Sequence, residues 1–281
     1  MEVCRTVAEL RAWRRAAGDV GFFPTMGALH AGHRDLVERA VRDSEAVCVS
    51  IFVNPTQFGP NEDYRTYPRD EEADLRLLAG VGATAAFVPS VEEMHPPGDQ
   101  TRVVPGTIAS RLEGAARPGH FTGVATVVTK LFEIVRPTRA YFGQKDFQQL
   151  RVIQTIVRDL AMDVRIVPCA TVRDGDGLAL SSRNAYLSAD ERRRALCLSR
   201  GLFAARDAFA AGERDPARLR RIVEGIASEA GRLEYVSVAD PMTLAELDAP
   251  AESAVISLAC RAGRARLIDN VLLGMDLADL S

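Results

Sequence analysis

Two histidines three residues apart, His30 and His33, stand where an apolar run gives way to a helical pattern, within Phe23-Pro24-Thr25-Met26-Gly27-Ala28-Leu29-His30-Ala31-Gly32-His33. The unpaired amides and positive dipole end of a helix N-terminus attract anions, and imidazoles there can donate to phosphate oxygens. Gly27 and Gly32 would let the backbone come close to a ligand. As residues alone, the pair also fits two surface histidines or a metal pair at one-turn spacing. No carboxylate or cysteine accompanies them at ligand spacing, and a strand-loop-helix setting suits nucleotide phosphates.

Three further segments carry polar groups that can meet such a ligand. Phe52-Val53-Asn54-Pro55-Thr56-Gln57-Phe58 ends an apolar run and offers Gln57 on a loop. Its amide donates and accepts without adding charge, which suits a substrate with hydroxyls and a carboxylate. Asn54-Pro55 also reads as a plain turn. Phe142-Gly143-Gln144-Lys145-Asp146-Phe147-Gln148-Gln149 contains one of only two lysines, Lys130 and Lys145, among 35 basic residues. An ammonium on a loop aimed at phosphates can neutralise charge developing on an α-phosphoryl group. A solvated ion pair with Asp146, which is also placed to cap the next helix, is equally open from the residues alone. Lys130, in an apolar helical run, reads as chance survival. Leu180-Ser181-Ser182-Arg183-Asn184 presents two hydroxyls and a guanidinium, donors for a triphosphate, and in isolation reads as a turn.

The His-Ala-Gly-His element resembles the HxGH signature of the nucleotidyltransferase superfamily, which narrows the chemistry to attack on an α-phosphate. All four segments, in this order and spacing, resemble the pantothenate synthetase (pantoate–β-alanine ligase) family, and the resemblance extends to Leu267-Ile268-Asp269-Asn270. It implies ATP-dependent condensation of pantoate with β-alanine through a pantoyl adenylate, releasing AMP and pyrophosphate. It further implies ATP binding by Pro24, Thr25, Met26, His30, His33, Gly143, Lys145, Asp146, Leu180, Ser181, Ser182 and Arg183. Catalysis would fall to His30, His33, Lys145 and Arg183, and pantoate binding to Met26, Asn54, Gln57 and Gln149.

The family more often has methionine where this chain has Leu180, a swap of similar volume that is expected to be tolerated. Arg117-Pro118-Gly119-His120-Phe121 also matches, and there Arg117 and His120 either line the pantoate end or order the loop. Magnesium would accompany the ATP phosphates, with Glu62, Asp63, Asp70 and Asp74 as candidate carboxylates. A homodimer contacting through the larger domain is the implied assembly. The HxGH element alone would also permit a nucleotidyltransferase that keeps the nucleotide on its product, or a non-catalytic nucleotide sensor. An aminoacyl-tRNA synthetase is disfavoured because no basic anticodon-binding segment is visible.

The elements that must position these residues alternate. Candidate strands at Val20 to Pro24, Ala46 to Val53, Thr84 to Val88, Arg139 to Phe142 and Val164 to Val167 are separated by helical patterns at His33 to Asp43, Glu71 to Ala79 and Val124 to Val135. This predicts a Rossmann-like, doubly wound parallel α/β sheet over residues 1–171. Beyond it, helices at Asp190 to Ala211 and Pro216 to Arg232, and strands at Glu234 to Ala239, Ala254 to Ala259 and Arg264 to Leu272, predict a smaller α+β domain over 172–281. Its place after the Asp174-Gly175-Asp176-Gly177 turn suits a lid that shields a reactive mixed anhydride from water.

The composition is consistent with this reading. The 281 residues are 47% hydrophobic and 26% charged, enough to bury a substantial core. A formal net charge of -3 with no long single-sign block gives no footprint for nucleic acid. Charged residues interrupt 1–15, so no signal peptide is expected there, and no stretch approaches a membrane span. Five scattered cysteines fit neither a disulfide framework nor a zinc knuckle, and a reducing cytoplasm is the expected setting.

Overall fold

Short apolar runs, each followed by an amphipathic stretch, fold as strands that pair side by side while the helices pack on their faces. The computed structural model describes residues 1–60 and 62–280. It divides into two units, one of Met1–Gly143 with Gln148–Cys169, the other of Gln144–Phe147 with Ala170–Ser281.

In the first unit the strands are β1 (Glu2–Cys4), β2 (Val20–Thr25), β3 (Ala46–Ile51), β4 (Ala85–Phe87), β5 (Arg139–Gly143) and β6 (Arg165–Cys169). They lie in the order β1-β4-β3-β2-β5-β6 with every pairing parallel. From β2 the chain proceeds outward to β3 and β4, then returns to place β5 on the other side of β2. That reversal is a topological switch point, and in open parallel sheets ligands bind beyond the carboxyl ends of the strands there.

The helices of this unit are α1 (Val7–Ala16), α2 (Ala31–Asp43), α3 (Glu71–Gly80), α4 (Val91–Met94), α5 (Leu112–Ala116), α6 (His120–Val135) and α7 (Phe147–Asp159), the last beginning in the four-residue segment assigned to the other unit. Leu36, Val37 and Ala40 of α2 and Leu78 of α3 pack with Val47, Val49 and Ile51 of β3, so one apolar stripe per helix fixes it on the sheet.

Several elements depart from expectation, and helix α1 was not expected at all. Strand β1 was not anticipated; it is three residues long and two of them are exposed, so it shows no alternation to read. Helix α2 begins at Ala31 and not at His33, which makes His30 its N-cap and puts His33 inside the first turn. Helix α6 begins at His120, four residues before the expected Val124, after Gly119 in the left-handed conformation at φ 85°. It ends at Val135 as expected, with Arg136 left-handed at φ 47° ahead of Pro137.

In the second unit α8 (Ala189–Ala210) and α9 (Pro216–Ala227) cover an antiparallel sheet of β7 (Arg232–Ala239), β8 (Ala254–Ala262) and β9 (Ala265–Leu273), in the order β7-β8-β9. Its core joins Leu198 and Leu202 of α8 and Leu219 and Val223 of α9 to Ile256 and Leu258 of β8. Helix α9 stops short of the expected Arg232, because Gly231 at φ 155° turns the chain into β7. Residues Gln144–Phe147 group with this unit, where a single boundary at 171 would have put them in the other. The Asn270 side chain of β9 supplies the reason: its Nδ2 donates to the carbonyls of Gln144 and Lys145, each at 2.9 Å.

Candidate active site

In the first unit the loop leaving β2 is held open by its own backbone and by one carboxylate. Gly27 has φ 87° and Ala28 φ 52°, so two successive residues are left-handed. A Cβ on Gly27 would sit 2.9 Å from Asp74 Oδ2 and 3.0 Å from Ile51 Cγ2, so both φ and space require glycine. Asp74, on α3, is 3% exposed and accepts the Ala28 N–H at 2.9 Å and the Leu29 N–H at 2.7 Å. Burial pushes its carboxyl above the ordinary value, although those two amides pull the other way. Gly32 is a buried residue of α2 and is not among the left-handed glycines.

The braced loop delivers the histidines as a stacked pair. The His30 and His33 rings lie 3.9 Å apart at 27°, with Phe23 of β2 at 5.8 Å from His33. The His30 backbone N–H donates to His33 Nδ1 at 3.2 Å, so the proton of the neutral His33 ring is on Nε2.

After β3, Asn54 caps the short turn Pro55–Gln57, and both amides are buried: Asn54 is 1% and Gln57 8% exposed. Asn54 Nδ2 donates to Gln57 Oε1 at 3.1 Å, and Gln57 Nε2 contacts Met26 Sδ at 3.1 Å. Met26, Asn54 and Gln57 thus form one connected patch. Gln149, the fourth residue expected there, lies half-buried on α7, and its amide makes no hydrogen bond among the described residues.

Arg117 and His120 order the loop around that patch. Arg117 pairs with both oxygens of Glu62 at 2.7 and 2.6 Å. Burial alone would raise the Glu62 carboxyl, but the guanidinium prevails and holds it below its usual range. His120 Nδ1 lies 2.8 Å from the Gln57 carbonyl and so donates to it, while its Nε2 accepts from Arg117 Nη1 at 3.1 Å. Burial first, and Arg117 second, depress the His120 pKa to about 4.

The carboxylates considered for magnesium are largely engaged elsewhere. Asp74 braces the loop, Asp70 caps α3 by accepting from the Ala73 N–H, and Glu62 pairs with Arg117, while Asp63 lies in a short turn. Among the described residues no group of three or more His, Cys, Asp or Glu could hold a metal ion.

In the second unit Lys145 and Ser181 share a small cleft with Asn184 and Asp269. Lys145 Nζ stands 3.9 Å from Asp146 Oδ2, too far for more than a loose ion pair. Asp269, 4% exposed, takes a two-pronged bond from Arg173 at 2.7 and 2.9 Å, which fixes that wall of the cleft. The hairpin that leads to Ser181 is closed by the Leu180 N–H to the Val172 carbonyl at 3.0 Å and by Arg192 on Asp174 and Asp176. Ser181 caps the turn Ser182–Tyr186, accepting from the Arg183 N–H at 3.3 Å. Of the nucleotide residues expected from the sequence, Pro24, Thr25, Met26, His30, His33 and Gly143 belong to the first unit, and Lys145, Asp146, Leu180, Ser181, Ser182 and Arg183 to the second.

Sequence reasoning gave Asn270 and Arg173 no role, weighed Asp74 only as a metal ligand, and took Lys130 for an accident. Lys130 Nζ in fact donates to the Met94 carbonyl and to Asp99 Oδ2.

Comparison with known proteins covers almost the whole chain. The family described as pantoate-beta-alanine ligase matches residues 2–272. Pantothenate synthetase from Chloroflexus aurantiacus is 56% identical over 276 residues, 97% of this chain and 98% of that protein. The crystal structure of pantothenate synthetase from Thermus thermophilus superposes with a TM-score of 0.92 at 50% identity, covering 96% of this chain and 99% of that one. Pantoate-beta-alanine ligase from Francisella tularensis, complexed with beta-gamma ATP and beta-alanine, gives 0.81 at 35% identity over 99% of each chain.

Proposed function

We propose, from the premise that this chain belongs to the pantoate–β-alanine ligase family, that it condenses pantoate with β-alanine at the expense of ATP. In the first step a pantoate carboxylate oxygen attacks the α-phosphorus of ATP. The bond to the bridging oxygen breaks, pyrophosphate leaves, and pantoyl adenylate remains bound. In the second step the free amine of β-alanine attacks the activated carbonyl. The acyl–phosphate bond breaks, AMP leaves with the electron pair, and the amine loses a proton as the amide of pantothenate forms.

Neither step needs a covalent bond to the protein, so the residues act by position and charge. His30, His33, Lys145 and Arg183 donate to the phosphate oxygens on which charge builds, and Ser181 and Ser182 add hydroxyl donors. The proton on His33 Nε2 suits that role, because the His30 amide occupies Nδ1. The uncharged patch of Met26, Asn54 and Gln57, with Gln149, receives the hydroxyls and carboxylate of pantoate. The second unit serves as the part that keeps water from the adenylate. Magnesium enters as part of the ATP co-substrate, carried on its β- and γ-phosphates, in keeping with carboxylates that already have protein partners. The reaction is assigned to the reducing cytoplasm, in keeping with five cysteines that are all free thiols, and to a homodimer formed through the larger unit. No helix among the described residues is long and apolar enough to cross a membrane.

The observation that carries this reading is the family match over residues 2–272, within which all four motif segments fall. The test is exchange of labelled pyrophosphate into ATP by the purified protein. Exchange is expected with pantoate alone, and AMP should accumulate only after β-alanine is added. ADP formation in place of AMP would replace the adenylate with an acyl phosphate and overturn the reading.

A further inference from the structure

In the second unit the wall of the Lys145 cleft contains a carboxylate that the reaction as described does not use. Asp269 lies on β9 two residues from both Leu267 and Val271. The period-two alternation of a strand puts its side chain on their face, the one packed by α8. Lys145, Ser181, Asn184 and Asp269 line the cleft together with Leu198 of α8. A carboxylate so placed offers the Lys145 ammonium a counterion in place of a phosphate.

That charge is met by one residue. Arg173 Nη1 and Nη2 donate to the two oxygens of Asp269 at 2.7 and 2.9 Å, and among the described residues no other cation pairs with it. The Asn270 N–H adds a bond to Oδ1 at 2.8 Å, but brings no charge. An arginine does not lose its proton, so the compensation is permanent. The ring of Phe203 on α8 lies 4.9 Å from the Arg173 Cζ and backs the guanidinium.

The hairpin that carries Arg173 does not depend on this pair for its shape. It is closed by the Leu180 N–H to the Val172 carbonyl at 3.0 Å, by the Asp174 N–H to the Leu178 carbonyl at 2.9 Å, and by Arg192 on Asp174 and Asp176. To these Arg173 adds one bond, to the Gly177 carbonyl at 3.2 Å. What Arg173 alone supplies is charge. Lys145, in the same cleft, is left with a loose ion pair to Asp146 at 3.9 Å.

We propose that Arg173 is a positioning residue for Lys145: by taking both oxygens of Asp269 it keeps the ammonium from pairing within the cleft and leaves it for the phosphates of ATP. This rests on the reading that Lys145 acts on ATP. With methionine at 173 the Asp269 carboxylate keeps only the Asn270 N–H, and Lys145 is the cation that shares its cleft. Ammonium and carboxylate then pair, and the transferring phosphoryl group loses a donor.

Steady-state kinetics and melting temperatures of the purified full chain test this with Arg173→Met, Arg173→Lys, Arg173→Met combined with Asp269→Asn, and Arg173→Met combined with Lys145→Ala. Arg173→Met is expected to lower kcat by about tenfold or more, as one donor to developing charge is withdrawn. Arg173→Lys keeps the charge without the fork and should stay within about threefold of the parent. Removing the Asp269 charge together with Arg173 should restore kcat to within about threefold, as the loss of a merely structural brace would not. In the Lys145→Ala background Arg173→Met should cost less than about twofold further, because the group through which it acts is gone. The proposal is overturned if Arg173→Met turns over normally, if lysine at 173 is no better than methionine, if Asp269→Asn restores nothing, or if the loss is as large without Lys145 as with it. Should Arg173→Met not fold, Arg173→Lys and the combination with Asp269→Asn carry the test, and a fall of about tenfold in either overturns it. Near-normal turnover in Lys145→Ala alone would fail the assignment of Lys145 first, and the proposal with it.

Discussion

Lys145 occupies a cleft with Ser181 and Asp269, and its closest acidic neighbour, Asp146, stands off at 3.9 Å. Its ammonium is therefore not consumed by a tight ion pair, and its backbone is fixed independently by Asn270. Lys145→Ala is expected to leave the fold intact and to lower kcat by roughly 10²–10³-fold, the scale for removing one preorganised donor to developing charge. Near-normal turnover in variant protein with an unchanged melting temperature would remove Lys145 from the chemistry. The rarity of lysine is what singles this residue out in the sequence. For Lys130 the same rarity was outweighed by an apolar stretch that hid a polar contact to Asp99, 31 residues away in the chain. The contact of His95 Nε2 with Asn54 Oδ1 was likewise illegible, since a lone histidine outside any periodic segment says nothing of an asparagine 41 residues earlier.

At the scale of elements, the start of α6 shows how a turn and a helix constrain one another. Gly123 of α6 packs against the turn Pro55–Gln57 so closely that a Cβ would lie 2.4 Å from the Thr56 carbonyl oxygen. His120, the first residue of α6, is pinned to the Gln57 carbonyl and kept neutral by burial and Arg117. Between about pH 6.5 and 4 the unfolded chain takes up a proton that the native ring refuses, so stability falls as pH drops through that window. Unfolding free energy from urea titration is expected to fall by about 1–2 kcal/mol more between pH 7 and pH 5 in the parent than in His120→Gln. Identical pH slopes would mean that the ring titrates normally.

Helical periodicity had revealed only the later part of α6, because His120–Gly123 carries no apolar repeat and starts on a left-handed glycine. The longer strands and helices α2, α3, α8 and α9 were legible because each buries an apolar stripe, whereas α1, with only Leu10 buried, was not. Strand β1 was not, since only Cys4 of its three residues is buried.

For the molecule as a whole, the parallel order β1-β4-β3-β2-β5-β6 puts the loop after β2 and the end of β5 at the switch point of the sheet, where this class of fold binds ligands. The alternation of strands and helices announced that architecture. It did not announce that Gln144–Phe147 would pack with β9, because the bond from Asn270 joins segments more than 120 residues apart. The chemistry proposed for the whole chain turns on one bond, between a pantoate carboxylate oxygen and the α-phosphorus of ATP. Pantoate labelled with ¹⁸O in its carboxylate, incubated with the protein, ATP and β-alanine, follows that oxygen directly. Label recovered in the phosphate of AMP is the expected result; label in inorganic phosphate, or AMP free of label, would contradict it.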